Sequence, residues 1–428
     1  MRIRDPIYGD FKLTGRWLSL LFTPEVRRLS QIRLLNTLTP SLATLGELRR
    51  YSHTLGVLHL YQLNSHSRFS SEEFDAFAAS VILHDIGTPP FGHLFEYHLH
   101  EMTGWNHERF IKSILWGFHA PENKAHQIFA GRQIQVLSEL RRIGISIEIV
   151  QAIITRTHPL SQLLFGSLDL DNLDNVARMA WALGIESDPG LLVDIAKNVT
   201  VTPDGVLELS EQQYGLHVRY WLTLRRSIYE ILVFDPPTVA AQAVLSEAIE
   251  IGLRCNVLTE ADWELYDELL IEKLRSFDQT KRLISRDYLG DLPRNVLSLQ
   301  LEGGLQKYRF ESRQAAKKTI ENVLSQLFGS GKVLAYVFVD RGTFEKRVDF
   351  VDPNTMRTWA IGETSSSLVL YAFHRSGAHV TEEQASSAAD ALMAALQIPS
   401  SAIIRLDLAG LNKENVAGDN PQLAFPDF

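Results

Sequence analysis

The sequence has a single cysteine, Cys255, among 428 residues. One thiol excludes an intramolecular disulfide framework and a Cys-rich zinc site. No uninterrupted run of about 18 apolar residues occurs, so no membrane-spanning helix is expected. The opening Met1-Arg-Ile-Arg-Asp-Pro-Ile lacks the apolar stretch of a signal peptide. The expectation is therefore a soluble, cytoplasmic protein without a membrane partner. Positive charge is also in short supply: Lys+Arg 42 against Asp+Glu 51 gives a formal net charge of −9. That balance supplies no global pull toward nucleic acid and disfavours it as a partner, although a local basic groove remains compatible with it. There is no Walker A loop and no Gly-rich dinucleotide turn, which argues against P-loop and Rossmann enzymes. Internal repeats and low-complexity tracts are absent too. What is present is ordinary globular composition, 45% hydrophobic, 22% charged and 9% aromatic. The length suits two or three domains, or one large core with an appendage.

Residues 1–15 read as a short strand-turn unit, and 17–290 as mostly helical. Val26, Leu29, Ile32 and Leu35 recur at three-residue steps, as do Leu55, Leu58 and Tyr61–Leu63. The nearly all-apolar stretch from Phe74 to His84 predicts a helix buried in a bundle. Asn106 is a suitable N-cap for a helix starting at His107. Further helices are expected at 143–156, 171–183, 212–233, 237–255, 259–277 and 313–328, with a Pro-Asp-Gly hairpin at 201–209. Beyond residue 332 the period changes, giving strands near 333–339, 348–352, 367–373 and 403–408 and a helix over 381–396. The expected fold is mainly α, with a helical core over 1–300, a small C-terminal α+β lobe over 301–412, and a polar tail at 413–428.

The sharpest local signal is Leu83-His84-Asp85-Ile86-Gly87-Thr88-Pro89-Pro90-Phe91-Gly92-His93. An adjacent His and Asp at the end of a buried helix are costly unless paired or bound to a metal. Imidazole and carboxylate together suit a borderline divalent ion. In isolation a helix-terminal His with a capping Asp is the better explanation of the pair. His53 lies on an upstream helix, and Asp169, Asp171 and Asp174 enter another. A His, a His-Asp pair and a distant Asp, each on a separate helix, provide four groups able to converge in a bundle core. The acids at 169–174 also suit a helix N-terminus as simple dipole complements.

These segments, in this order, resemble the HD-domain phosphohydrolase superfamily. Within it they resemble the deoxynucleoside triphosphate triphosphohydrolase branch, which includes the bacterial dGTPases and the vertebrate sterile-alpha-motif HD-domain enzyme. The resemblance rests on Asp5-Pro-Ile-Tyr-Gly, Arg27-Arg-Leu-Ser-Gln-Ile, Arg50-x-x-His53-Thr-Leu-Gly-Val, His84-Asp85 through His93, Asn106-His107-Glu108 and Asp169-x-Asp171-x-x-Asp174. Leu224-Arg225-Arg226-Ser-Ile-Tyr229 resembles a later Arg/Tyr helix of the family. The resemblance implies metal ligands at His53, His84, Asp85 and Asp171, and a phosphate contact at Arg50. It implies His93 as general acid or as a holder of the phosphate that is attacked, and His107 paired with Glu96 to orient water. The cofactor would be a divalent metal (Mn, Fe, Mg, Co, Ni or Zn), the substrate a nucleotide or another phosphate ester, and the protein a homo-oligomer with room for a nucleotide effector.

Several positions depart from the family pattern. Thr88 stands where the loop has a further His, and Asn172 where a phosphate-binding Lys follows the metal Asp. Asn175, Met179 and Leu34 stand where the family reads the deoxyribose. Each lost polar contact costs about 0.5–1.5 kcal/mol. Two alternatives to a dNTP triphosphohydrolase follow: a phosphohydrolase or phosphodiesterase acting on a different nucleotide or phosphate ester, and a non-catalytic nucleotide-sensing module. The basic pairs Lys317-Lys318 and Lys346-Arg347 read as solvated faces.

Overall fold

The computed structural model describes residues 1–36, 41–64, 68–104, 106, 111, 115, 136–288, 291–342 and 344–409. The helix expected from His107 and the polar tail both lie outside the described residues. The chain divides into two units, Met1–Gly290 with Gly342–Ser365, and Asp291–Arg341 with Ser366–Phe428. Strand β1 (Arg2–Asp5) pairs antiparallel with β2 (Gly9–Lys12), giving the expected N-terminal strand unit. A small hairpin follows much later, β3 (Thr200–Val201) and β4 (Leu207–Glu208). The chain enters the second unit with β5 (Arg294–Glu302) and β6 (Val333–Arg341), and returns to the first for β7 (Val348–Val351) and β8 (Thr358–Ile361). It completes the second unit with β9 (Ser366–His374) and β10 (Ile403–Leu408).

The first unit is helical. Helix Ser71–Leu83 starts at a capping box: Ser70 Oγ accepts from the Glu73 N–H at 3.2 Å, and the Glu73 carboxylate accepts from the Ser70 N–H at 2.7 Å. Ala76 to Leu83 are all buried, as the apolar run requires. This helix and helix Leu170–Leu183 both pack on helix Arg50–Leu63, which carries His53, and helix Glu211–Phe234 packs on Leu170–Leu183. Residues 342–365 join this unit because β7 pairs parallel with β4, at Glu208 and Val351. Trp359 fixes the junction by donating from Nε1 to the Leu209 carbonyl at 3.0 Å while stacking on Phe350. No single described helix is long and apolar enough to cross a membrane. Helices Glu211–Phe234 and Pro236–Arg254 meet the length and composition conditions only as a pair, bent by 63°.

Three helical expectations need correction. Only Pro24–Arg28 is α-helical in the Val26–Leu35 stretch, followed by a tight turn at Leu29–Gln31. From Ile32 the chain is extended, because the Arg33 N–H goes to the Asp267 carboxylate at 2.8 Å and not to a helical carbonyl. The segment 259–277 is a turn at Glu260–Glu264 and a separate helix Asp267–Arg275. The Arg28 guanidinium takes the carbonyls of Trp263 and Leu265, at 3.4 and 2.8 Å, which a continuous helix would use. The helix expected over 143–156 is the shorter Ile147–Ile154, capped by Ser146, and Val136–Ile143 is a separate helix before it.

The second unit is a four-stranded antiparallel sheet, β10-β5-β9-β6, with helices Arg313–Phe328 and Glu382–Ala395 packed on it. Leu299, Leu301, Ile320, Leu324, Leu368, Leu370 and Leu392 share its core, each burial contributing about 2 kcal/mol. The β-rich unit begins at Asp291, ahead of the expected residue 301, since the unforeseen β5 pairs along its length with β9. Strand β8 was also unforeseen; it pairs antiparallel with β7.

Candidate metal centre

Three of the four residues assigned to a metal come together. His53, His84 and Asp171 each present a ligand atom, and these atoms lie within 4.8 Å of one another. The His53 Nε2 to Asp171 Oδ1 distance is 2.6 Å, and His84 Nε2 to the same oxygen is 3.5 Å. The imidazoles are buried, with 1% and 5% side-chain exposure, whereas Asp171 keeps 26%, so the cluster opens at Asp171.

The helix starts and ends explain this convergence. Asp169 caps helix Leu170–Leu183, its carboxylate accepting from the Asn172 N–H at 2.7 Å, and this puts Asp171 on the first turn and Asp174 just beyond it. The Asp174 carboxylate meets His53 Nδ1 at 2.7 Å. Arg178, one turn on, holds Asp174 with two contacts of 2.8 Å and reaches Asp5 at 3.1 Å. Gly56 makes room for this pair: a Cβ there would come within 1.9 Å of Asp174 Oδ1. His84 sits at the end of its helix and engages the Val81 carbonyl through Nδ1 at 2.7 Å.

The donor set fits a divalent ion. Both imidazoles use Nδ1 on an oxygen acceptor and turn Nε2 to the cluster, the arrangement that fixes ring tautomer and orientation in metal-binding histidines. His84 Nε2 is buried without a hydrogen-bond partner, an expensive state for a polar nitrogen unless it has another use. Two imidazoles and a carboxylate are compatible with a divalent metal, and leave its identity open among borderline ions. Burial pushes the His53 pKa down, but its bonds to Asp171 and Asp174 outweigh that and lift it to about 9. Burial pushes Asp171 up, while the two imidazoles hold it well below the usual carboxylate range. Asp169 goes the other way: burial and the negative charge of Asp171 raise it to about 7.

The remaining assigned residues occupy the surroundings. The Asp85 carboxylate lies 3.5 Å from His84 Nε2, but both its oxygens accept from Arg50 Nη1 at 2.9 Å and one from Thr88 Oγ1 at 3.0 Å. Burial would raise its pKa; the Arg50 guanidinium overrides that and keeps it low. Arg50, expected at phosphate, is thus engaged with Asp85. Phe91 and Gly92 have φ of 54° and 51°, turning the chain sharply into helix His93–Thr103. A Cβ on Gly92 would come within 2.9 Å of the Arg50 guanidinium. His93 is largely exposed and pairs through Nδ1 with Glu96 at 3.0 Å. His107 lies outside the described residues. Asn172 Nδ2 donates to Asp169, and Asn175 Nδ2 to Asp171 at 3.3 Å. Met179 and Leu34 are buried. Sequence reasoning assigned no role to Asp174, although its i+3 spacing from Asp171 puts both on one face.

No family model matches the chain. It is similar in sequence to an uncharacterized protein of Bacillus subtilis, 23% identical over 260 residues, 58% of this chain and 54% of that one. A Methanocaldococcus jannaschii protein, also uncharacterized, is 22% identical over 300 residues, 67% of this chain and 60% of its own. One from Mycoplasma genitalium is 26% identical over 254 residues, 56% and 57% respectively. The chain thus spans somewhat more than half the length of the curated relatives it matches. Among solved structures it is similar to a phosphohydrolase from Bacteroides thetaiotaomicron, with a TM-score of 0.60 and 16% identity, covering 88% of this chain and 100% of that one. The two proteins share a fold.

Proposed function

We propose that this chain is a metal-dependent nucleotide phosphohydrolase of the HD type, acting on a phosphoanhydride or phosphoester in the manner of the dNTP triphosphohydrolases. In that reaction water attacks a nucleotide phosphate, and a nucleoside and tripolyphosphate are released. The observation that carries the reading is the convergence of His53, His84 and Asp171 around the unpartnered His84 Nε2. The fold shared with a phosphohydrolase supports it. His53, His84 and Asp171 would hold a divalent ion, with Asp85 as the adjacent carboxylate. Such an ion supplies Lewis acidity, polarising a phosphoryl oxygen and making water nucleophilic near neutral pH. Asp174 and the Val81 carbonyl hold the two imidazoles in position. Arg50 and Thr88 fix Asp85. His93, oriented by Glu96, gives a proton to the leaving oxygen. His107 is assigned to water orientation by resemblance.

A second reading keeps the hydrolase and changes the substrate. Met179 and Leu34 are apolar and buried and offer no side-chain polar contact to a sugar hydroxyl, while Asn175 has one amide N–H committed to Asp171. This favours a nucleotide or phosphate ester recognised without its deoxyribose. Self-association, a nucleotide effector and a cytoplasmic location belong to the same proposal and are accessible to size-exclusion, binding and fractionation measurements. The test of function is a screen of Mn, Mg, Co, Ni and Zn against dNTPs, NTPs, cyclic and linear oligonucleotides and a generic phosphodiester, with products identified by mass. Nucleoside plus tripolyphosphate from a dNTP is the expected result. Turnover of another ester alone selects the second reading. Silence with every metal, matched by a His84→Ala/Asp85→Ala variant, contradicts both and leaves a nucleotide-binding module.

A further inference from the structure

The ion pair behind His53 continues past Asp174 to the start of the chain. Arg178 donates from Nε to Asp174 Oδ2 and from Nη2 to Asp174 Oδ1, both at 2.8 Å, and from Nη1 to Asp5 Oδ2 at 3.1 Å. Asp174 Oδ2 is also the atom that meets His53 Nδ1, at 2.7 Å. Asp5, Arg178, Asp174 and His53 thus form one line of direct contacts that ends at a candidate ligand. Their side chains are 5%, 2%, 0% and 1% exposed. Water cannot stand in for a missing member there, and a buried charge left without its partner is costly. The line closes against bare backbone: a Cβ on Gly56 would come within 2.3 Å of Arg178 Nη2, besides its clash with Asp174.

Asp5 belongs to the N-terminal hairpin, and that hairpin is held on the helix that carries His53. Asp5 ends β1, and its Oδ1 accepts from the N–H groups of Ile7 and Tyr8 at 2.9 and 3.3 Å, closing the turn into β2. Its other oxygen faces Arg178. Phe11 stacks on His59 with ring centres 4.2 Å apart, and Tyr8 tilts against the same ring at 5.1 Å. His59 lies on helix Arg50–Leu63. The hairpin therefore engages two ligand-bearing helices, Arg50–Leu63 by ring packing and Leu170–Leu183 by charge. We propose that Asp5 is a positioning residue of the metal centre, acting through Arg178 and Asp174 to hold His53, so that the N-terminal hairpin is part of the site. Such coupling is reciprocal: an ion that needs the hairpin docked must in turn hold the hairpin down. The proposal rests on the metal-dependent reading above and extends it to the first strand of the chain.

The probe is Co2+, titrated calorimetrically into the metal-stripped full chain. Asp5→Asn keeps an oxygen for the turn and removes the charge facing Arg178. It is expected to retain the fold by circular dichroism and to bind Co2+ about three- to tenfold more weakly, less than the loss for a group that touches the ring itself. Asp5→Ser, which also offers the turn an oxygen but is too short for Arg178, is expected to behave alike. In an Asp174→Asn background Asp5→Asn is expected to add nothing, because the line is already cut. Hydrogen exchange over residues 1–13 is expected to slow when Co2+ is added to the wild type. Equal Co2+ affinity in the wild type and both Asp5 variants, or exchange over 1–13 indifferent to Co2+, overturns the proposal and leaves the metal reading intact. The same fold-loss from Asp5→Asn with and without Asp174 also overturns it, since Asp5 then does not act through Asp174. Loss of fold in both Asp5 variants overturns it too and makes Asp5 a structural residue. Wild-type protein that binds no Co2+ contradicts the metal reading itself, and the proposal with it.

Discussion

Asp174 works through His53. Its carboxylate holds Nδ1 at 2.7 Å and is itself held by Arg178, so Asp174→Asn should weaken divalent-metal affinity by roughly 10- to 100-fold. Chelator competition measures this, and an unchanged affinity would mean the ring is positioned by something else. Gly56 gives a prediction with the opposite sign to ordinary helix rules. Gly→Ala inside a helix usually stabilises by about 1 kcal/mol. Here the new methyl would lie 1.9 Å from Asp174 Oδ1, so Gly56→Ala should destabilise by about 1–3 kcal/mol, read as a lower denaturant midpoint. The candidate ligands His53, His84 and Asp171 were legible through the family resemblance of their segments, since the helix-entry acids alone leave open which of Asp169, Asp171 and Asp174 faces inward. Asp174 was visible as a residue but not as a partner, since its role depends on a helix that is distant in sequence. Lys346 reads as a solvated lysine because nothing near it in sequence says that its ammonium lies over the Trp221 ring, 5.7 Å from its centre.

Elements show the same division between local and long-range information. Helices with strong caps and long apolar faces, such as Ser71–Leu83 and Leu170–Leu183, start and stop close to where their residues predict. The failures occur where a distant side chain takes a backbone group. Asp267 accepts from the N–H of Arg33 at 2.8 Å and from that of Phe91 at 2.9 Å, turning one chain segment extended and holding the other in a left-handed bend. Asp267→Ala should therefore cost about 1–3 kcal/mol for each buried donor left unsatisfied. Peptide-level hydrogen exchange should speed up in the segments holding Arg33 and Phe91, while the second unit stays unchanged; uniform protection would contradict this role. Strand β5 escaped notice for a different reason. Val296 to Leu299 are buried on both faces, so the simple alternation of a half-exposed strand is missing.

For the whole molecule, the division into helical body and α+β lobe was readable from the change of period near residue 332. The crossing of 342–365 back to the body was not, since a single parallel bridge between β4 and β7 leaves no sequence signature. That crossing makes a prediction about truncation. A chain cut after residue 290 keeps every candidate ligand but loses β7, Trp359 and Lys346. It should unfold at a lower temperature than the body of the full chain, and an identical midpoint would show that 342–365 contributes nothing to the first unit. The central claim is that His53, His84 and Asp171 form a divalent-metal site. Elemental analysis of dialysed wild-type protein beside His84→Ala tests it most directly. The account predicts on the order of one divalent ion per wild-type chain and a near-complete loss in the variant with its fold retained. A metal-free wild type, or equal metal in both proteins, would contradict it.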